Sequence, residues 1–212
     1  MNYGHENDTT TEGSASDSRR KFLQKTTAGV VISSLPATSV WAQSGGGGIL
    51  NSIVASTNAS GWTDGQMALL SYGTWKTSQA SISEGFVFSD VFGGEPLKNG
   101  TPLNSNSTFA YKIQSNNYTV QASEANFLQV MEANGSALEN VNFQICAMYL
   151  NAVYGKNDGS ALFGLNFPVV NAVTGRPFAK LSDYATWLYN NAKLNPSGFS
   201  SALSDLIINN HA

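Results

Sequence analysis

Between residues 107 and 155 the hydrophobic positions change period, and the change predicts two kinds of element. Phe109, Tyr111 and Ile113 alternate with Ala110 and Lys112, and Tyr118 and Val120 resume the alternation after Asn116-Asn117. Alternation at period two puts these side chains on one face, which predicts a β-hairpin turning at Asn116-Asn117. From Ser123 the spacing becomes helical. Phe127, Leu128, Val130 and Met131 share one face, and Asn134-Gly135 closes it. Ser136-Ala137-Leu138-Glu139 has the form of a capping box and opens the most apolar helix of the chain. Its expected core residues are Leu138, Val141, Phe143, Ile145, Met148, Tyr149, Leu150 and Val153, with Gly155 just past its end. A helix apolar almost all round is buried on several sides, so its Asn142, Gln144 and Asn151 need hydrogen-bond partners.

Shorter signals flank this centre. Thr63-Asp64-Gly65-Gln66 also fits a capping box, ahead of a short helix over Met67, Leu69, Leu70 and Tyr72 that Gly73 closes. Phe86-Val87-Phe88 and Val91-Phe92 fit either a strand or a short buried helix, which periodicity alone does not separate. Asn99-Gly100 is a tight-turn pair within the turn-rich residues 94–106. Leu162 to Val173 is glycine-interrupted and extended. Ser182 caps a helix carrying Tyr184, Ala185, Trp187 and Leu188; Asn195-Pro196-Ser197-Gly198 forms a turn; Phe199, Leu203, Leu206 and Ile207 mark a last helix. The sum is an α-rich α+β fold. It is a single helical domain with a small β-hairpin element over residues 61–212, preceded by a glycine-rich tether over 43–60 that includes Gly45 to Gly48.

The first 42 residues follow a different logic. Ser18-Arg19-Arg20-Lys21-Phe22-Leu23-Gln24-Lys25 sets a positive cluster before a mildly apolar stretch from Thr27 to Val40, which is too short and polar to span a bilayer. Val40-Trp41-Ala42 ends it on a small residue, which points to cleavage after Ala42. The motif, carried by Ser18, Arg19, Arg20, Phe22 and Leu23, resembles a twin-arginine (Tat) signal peptide. The resemblance implies recognition by the Tat translocase, export in a folded state to the periplasm or beyond, and no stable transmembrane span after cleavage.

Composition narrows what an exported domain of this kind does. Charged residues make up 12% of the chain, about half the usual share for soluble domains. The 170 residues after Ala42 hold seven basic and ten acidic side chains, with the lysines scattered singly. No basic face exists for phosphates, which argues against nucleic-acid binding. Cys146 is the only cysteine, so no internal disulfide forms, and its apolar neighbours predict a buried, inert thiol. The two histidines are His5, in the leader, and His211, in the expected frayed tail. That leaves no Ser-His-Asp triad, Cys-His pair or ordinary catalytic zinc site. Lys156-Asn157-Asp158-Gly159-Ser160 lacks the later ligands of a calcium loop and is read as a turn. Scattered carboxylates (Glu84, Asp90, Glu95, Glu132 and Asp205 among them) remain as candidates for acid–base work, whereas Glu124, Glu139 and Asp183 suit helix starts. No cofactor or metal motif appears, and a catalytic role for the chain alone is not expected.

Ala147-Met148-Tyr149-Leu150-Asn151-Ala152-Val153-Tyr154-Gly155, followed by a polar turn and Ala161-Leu162-Phe163, is similar to part of a family of small subunits. These belong to the membrane-associated FAD-dependent sugar and polyol (gluconate, sorbitol, fructose) dehydrogenases. Met148 stands where that family has tryptophan, Asn151 replaces a glycine, and the family's aromatic tail is reduced to Tyr184 and Trp187. The resemblance implies a non-catalytic accessory subunit that carries the Tat signal and assists export and maturation of a flavoprotein large subunit. The expected partner interface is Phe143, Met148, Tyr149, Tyr154, Phe163, Phe167, Tyr184 and Trp187. The competing expectation, from low charge and richness in Asn, Ser, Thr and Gly, is a secreted structural, fibre or adhesin-type subunit that self-assembles.

Overall fold

The long apolar stretch of the sequence is a helix at the centre of everything else. The computed structural model describes residues 67–155, 162–170 and 177–212. The twin-arginine motif, the cleavage site, the tether, the Thr63–Gln66 box and the Lys156–Ser160 turn lie outside them. The helix, Asn140–Tyr154, has eleven buried residues on all sides, among them Val141, Ile145, Met148 and Leu150.

Around it, in chain order, stand α1 (Tyr72–Thr77), α2 (Ala80–Ser83), α3 (Phe88–Phe92), the two-residue strands β1 (Leu97–Lys98) and β2 (Thr101–Pro102), then β3 (Thr108–Ile113), β4 (Asn116–Gln121) and α4 (Phe127–Met131). The central helix is α5, and α6 (Leu181–Leu194) and α7 (Pro196–Asn209) follow. Among the described residues this is an α-rich α+β arrangement, with two separate antiparallel hairpins, β1–β2 and β3–β4. None of the described helices is long and apolar enough to cross a membrane.

The buried asparagines of α5 find their partners in the backbone of other segments. Asn142 Oδ1 accepts from the Leu97 N–H at 2.8 Å while its Nδ2 donates to the Leu97 carbonyl at 2.9 Å and to the Glu139 carbonyl at 2.9 Å. Asn151 repeats the device on Leu70, accepting from its N–H and donating to its carbonyl, both at 2.9 Å. One side-chain amide thus acts as a single rung of β-ladder for one residue. An N–H can only donate, so the orientation of each amide is fixed by its partner. Nine residues apart, the two asparagines project from opposite sides of α5, about 13.5 Å apart along its axis. Gln144 Oε1, the third buried amide oxygen expected to need a partner, has none.

These clamps join stretches that local propensity does not form. Leu69 N–H donates to the Asn210 carbonyl at 2.8 Å, and Ala212 N–H donates to the Leu69 carbonyl at 2.9 Å. Ala68 pairs with Asn166, with bonds of 3.1 and 2.9 Å. Three consecutive residues, Ala68, Leu69 and Leu70, therefore bond to a loop, the C-terminal segment and α5. The residues around His211 are held, not frayed. Met67–Leu70 is likewise extended where a helix was expected, and α1 starts after Ser71, whose Oγ accepts from the Thr74 N–H, with Gly73 inside it.

Other boundaries moved for similar reasons. Phe88–Phe92 is a helix, and its ring pair Phe88–Phe92 lies 4.7 Å apart in a cluster with Phe86, Phe127, Tyr149 and Tyr189. The Ser136–Glu139 box is not made: residues Gly135–Ala137 form a 3-10 turn and α5 begins after Glu139. Glu139 instead accepts from the Gly100 N–H through Oε1, docking the β1–β2 turn onto the start of α5. That turn is the Asn99-Gly100 pair, with φ of 53° and 77°, the left-handed pair that a two-residue hairpin demands and glycine tolerates best. The capping box that does form is Asn126 with Gln129, at the start of α4. Ser182 lies within the first turn of α6, not at its cap. Asn195 caps α7 with Pro196 in its first turn, so α6 and α7 meet with one residue between them where a longer turn was expected. The β3–β4 hairpin turns at Gln114-Ser115, with Asn116 and Asn117 already in β4.

Replacing Asn151 by alanine leaves the buried Leu70 N–H and carbonyl without partners. Replacing Asn142 orphans the Leu97 N–H alone, because the Leu97 carbonyl keeps the Glu139 N–H at 3.1 Å. At about 1–3 kcal/mol per orphaned group with partial relaxation, Asn151→Ala is expected to lower the unfolding free energy by about 2–4 kcal/mol and Asn142→Ala by about 1–3 kcal/mol. Urea unfolding followed by circular dichroism measures it. A loss within about 0.5 kcal/mol, the scale of an ordinary surface change, would show that the clamps are dispensable.

Candidate functional site

The C-terminal end of α5 builds the most unusual surface of the domain. Gly155 closes the helix, and there a Cβ would come within 2.5 Å of the Asn151 carbonyl and 2.8 Å of the Phe167 nitrogen. No other residue permits the returning chain to pass so close. Phe167 N–H donates to the Gly155 carbonyl at 2.8 Å, and Leu162 N–H donates to the Tyr154 carbonyl at 3.0 Å. Between these anchors Leu162–Leu165 forms a tight turn, with Leu165 N–H bonded to the Leu162 carbonyl at 3.0 Å.

Phe163 and Gly164 are both left-handed in this turn, with φ of 60° and 72°. For a phenylalanine that conformation costs about 1–2 kcal/mol, and non-glycine residues held there mark functional positions more often than chance. The strain does not serve burial, since Phe163 is 41% exposed and Leu162 45%. The Phe163 ring rests edge-on against Trp75 at 6.0 Å and near Tyr154 at 6.3 Å, and Trp75 and Tyr154 stand 5.9 Å apart. Trp75 is fully buried beneath, and its indole N–H has no hydrogen-bond partner. The result is an apolar patch of Leu162, Phe163 and Tyr154 over a buried tryptophan. Such a patch suits docking against a protein, because rigid aromatic anchors at the surface carry a large share of interface energy.

The eight residues expected at a partner interface divide. Phe143, Met148, Phe167 and Tyr184 are buried in the domain's own core and cannot reach a partner while the fold is intact. Their apolarity serves α5 and α6, as in the Tyr184 ring stacked 5.9 Å from Trp187. Tyr149 is half-buried in the Phe86–Phe92–Phe127 cluster, and Trp187 packs on Phe178 and Phe199. Tyr154 and Phe163 come together. Trp75 and Leu162 complete their patch; Leu162 stood in the segment of family resemblance but not in the expected interface, and no sequence signal singled out Trp75. The residues of the signal motif and cleavage site, Ser18, Arg19, Arg20, Phe22, Leu23, Val40 and Ala42, lie outside the described part of the chain.

Acid–base chemistry finds little support elsewhere. A cleft of about 490 Å³ lies between the starts of α5 and α7, lined by Glu139, Asn140 and Val141 on one side and Pro196, Ser197, Ser200 and Ser201 on the other. Glu139 is already engaged by Gly100, and Ser201 donates to the Ser197 carbonyl at 3.1 Å. Among the described residues no group of three or more His, Cys, Asp or Glu side chains stands close enough to hold a metal ion. Burial pushes the Cys146 thiol well up, so it stays protonated. Tyr189 donates its hydroxyl to the Glu95 carbonyl at 2.5 Å, and burial, with the Glu95 charge adding to it, raises its pKa to about 12. Burial also raises Tyr149 and Tyr184. These are structural phenols, neutral across the physiological range. No protein-family model, curated protein or solved structure matches the chain.

The raised tyrosines fix the sign of the alkaline response. The folded state holds the Tyr189 proton to about pH 12, whereas an unfolded tyrosine releases it near pH 10. Its contribution to stability is therefore whole below about pH 10 and is lost as pH rises from about 10 to 12. Urea midpoints across pH 8–12 are expected to fall over that window, and Tyr189→Phe to fall less steeply while starting lower by about 1 kcal/mol at neutral pH. Parallel profiles for the two proteins would remove Tyr189 as a source of the slope.

Proposed function

We propose that this chain is a twin-arginine-exported, non-catalytic accessory subunit that assists export and maturation of a periplasmic flavoprotein oxidoreductase. It docks on that partner through the end of α5 and the Leu162–Leu165 turn. Phe163 carries the reading: a strained, half-exposed aromatic beside Tyr154, at the end of the helix segment whose sequence resembles the small subunits of flavin sugar and polyol dehydrogenases. Strain and resemblance are independent, and they converge on the same few residues.

The leader supplies the other half of the argument. The Tat route carries folded chains, and this chain offers no cofactor motif that would require folding before transport. A partner that folds around its own cofactor and travels with this subunit supplies that requirement. The low charge of the domain fits a protein that buries much of its surface in a complex. The same low charge favours, as the second reading, a secreted self-assembling structural subunit.

Two variants separate these readings. Arg19→Lys with Arg20→Lys is expected to hold both this chain and the flavoprotein inside the cell, read by immunoblot and flavin absorbance of the periplasmic fraction. Phe163→Gly suits the left-handed turn, so stability is expected to stay within about 1 kcal/mol, the relieved strain offsetting lost ring contacts. It is also expected to reduce co-purification of a stoichiometric flavin-bearing polypeptide by about tenfold or more, as loss of an aromatic anchor implies. Native purification that returns this chain without any flavoprotein would sink the accessory reading.

A further inference from the structure

The β3–β4 hairpin has one closed edge and one open edge. On the outer side of β3, Lys112 N–H donates to the Glu132 carbonyl and Asn134 N–H donates to the Ala110 carbonyl, both at 2.9 Å. Ala110 and Lys112 thus turn their backbone groups away from β4, so Phe109, Tyr111 and Ile113 turn theirs toward it. Their register partners are Val120, Tyr118 and Asn116. By the alternation of an antiparallel ladder, Asn117, Thr119 and Gln121 direct N–H and carbonyl groups off the far edge of β4. Among the described residues, β4 pairs with no strand other than β3.

That far edge lacks the devices that keep strands apart. Five of its six residues are exposed, Val120 being intermediate, and Asn-Asn-Tyr-Thr-Val-Gln contains no charge and no proline. The register runs one-to-one without a bulge. Natural edge strands ordinarily carry lysine, proline or a bulge, or are very short. Tyr118 and Val120 lie on the same face as the buried Phe109 and Tyr111, yet Tyr118 is 45% exposed and stacks on Tyr111 at 5.5 Å. The apolar face of the hairpin overhangs the core along this edge.

We infer that β4 is a dimerisation strand, pairing antiparallel with β4 of a second copy of this chain about a two-fold axis through Thr119. The strand's own pattern selects the occupant. Of the possible two-fold axes normal to the sheet, only one through Thr119, the central outward-facing residue, engages Asn117, Thr119 and Gln121 together. This register sets Thr119 against Thr119 of the second copy, Asn117 against Gln121, and Tyr118 against Val120. Threonine–threonine and aromatic–β-branched pairs are among the favourable cross-strand combinations, and no like charges meet. The half-exposed Tyr118 and Val120 gain cover on the face they already share. An axis through Tyr118 would pair Asn117 with Thr119 but set Gln121 against Ser115 in the turn, so it makes fewer bonds. The contact uses the same strand on both copies, so it closes at two and does not propagate. It stands apart from the Phe163 patch and does not rest on the flavoprotein reading.

The test is the mass of the full chain in solution, by sedimentation equilibrium over micromolar to sub-millimolar concentrations. The wild type is expected to pass from monomer to dimer and stop there. Thr119→Pro removes an N–H that takes no part in the β3–β4 ladder, so the monomer keeps its circular dichroism and melting temperature. Association is expected to weaken by about a hundredfold or more, as a lost central bond and a ring clash imply. Thr119→Lys and Thr119→Glu each place like charges on the axis and are expected to be monomeric alone and to form a dimer when mixed, which keeps the test sharp should the proline variant not fold. A wild type that stays monomeric, one that grows beyond a dimer, Thr119→Lys protein that dimerises like wild type, or a Lys–Glu mixture that stays monomeric would each overturn the assignment.

Discussion

A helix surrounded by protein on every side has no amphipathic stripe to tell its neighbours where to sit, and α5 meets that constraint with two asparagine amides. Apolar contacts between α5 and α1, α4, α6 and α7 supply attraction without direction. Asn142 and Asn151 supply direction. Each satisfies both backbone groups of one residue in a segment far away in sequence, Leu97 at one end and Leu70 at the other. A neighbouring segment displaced by even one residue would leave a buried N–H and carbonyl dry, at a cost comparable to a sizeable part of a domain's net stability. The clamps thus convert a sticky helix into one with a defined surround.

The candidate surface depends on one of these residues, Asn151. Asn151 holds Leu70 directly before α1, and α1 brings Trp75 under Phe163. The bonds from Gly155 and Tyr154 hold the returning loop from the other side. A left-handed phenylalanine persists only where its surroundings over-determine it. Here the turn is fixed at both ends by main-chain bonds to the end of a largely buried helix, so strain at Phe163 cannot relax by moving the loop alone. At the opposite end, Asn142 and Glu139 fix the β1–β2 turn. The hairpin with the open edge is held separately, through the bonds between β3 and residues 132–134.

Long periodic signals were legible and short ones were not, for physical reasons that recur. The alternation of Phe109 and Tyr111, the helical faces of Phe127–Met131 and Phe199–Ile207, and the all-round apolarity of α5 each involve several residues that must agree, so tertiary context does not override them. Caps and turns rest on one or two residues each. Ser136 had the right neighbours for a cap, but Glu139 is drawn off by Gly100, a partner thirty-nine positions away that no local pattern reveals. Met67–Leu70 has helix-forming residues yet runs extended, because its backbone is claimed by Asn166, Asn210 and Asn151 in turn. The interface expectation failed at Phe143, Met148, Phe167 and Tyr184 for a related reason. An aromatic or methionine in a buried helix looks the same in sequence whether it faces its own core or another protein. Phe163 is distinguishable through its backbone angle, which a sequence does not carry.

On the proposed reading of a chain exported already folded, the two exposed features, the Phe163 turn and the β4 edge, face opposite demands. An exposed strand edge must not meet the edges of other chains, and an isologous contact meets that demand, since a pair of copies leaves neither β4 edge open. A strained aromatic patch has the reverse requirement: it must stay uncovered until its partner arrives, and strain helps by keeping the ring from folding back into its own core. Cover for one feature and exposure for the other are compatible only if they lie on different elements. They do: β4 belongs to the hairpin anchored on residues 132–134, and Phe163 belongs to the end of α5. Pairing of two copies through Thr119 therefore leaves the Leu162–Leu165 turns of both free to engage a partner, and dimerisation and docking need not compete.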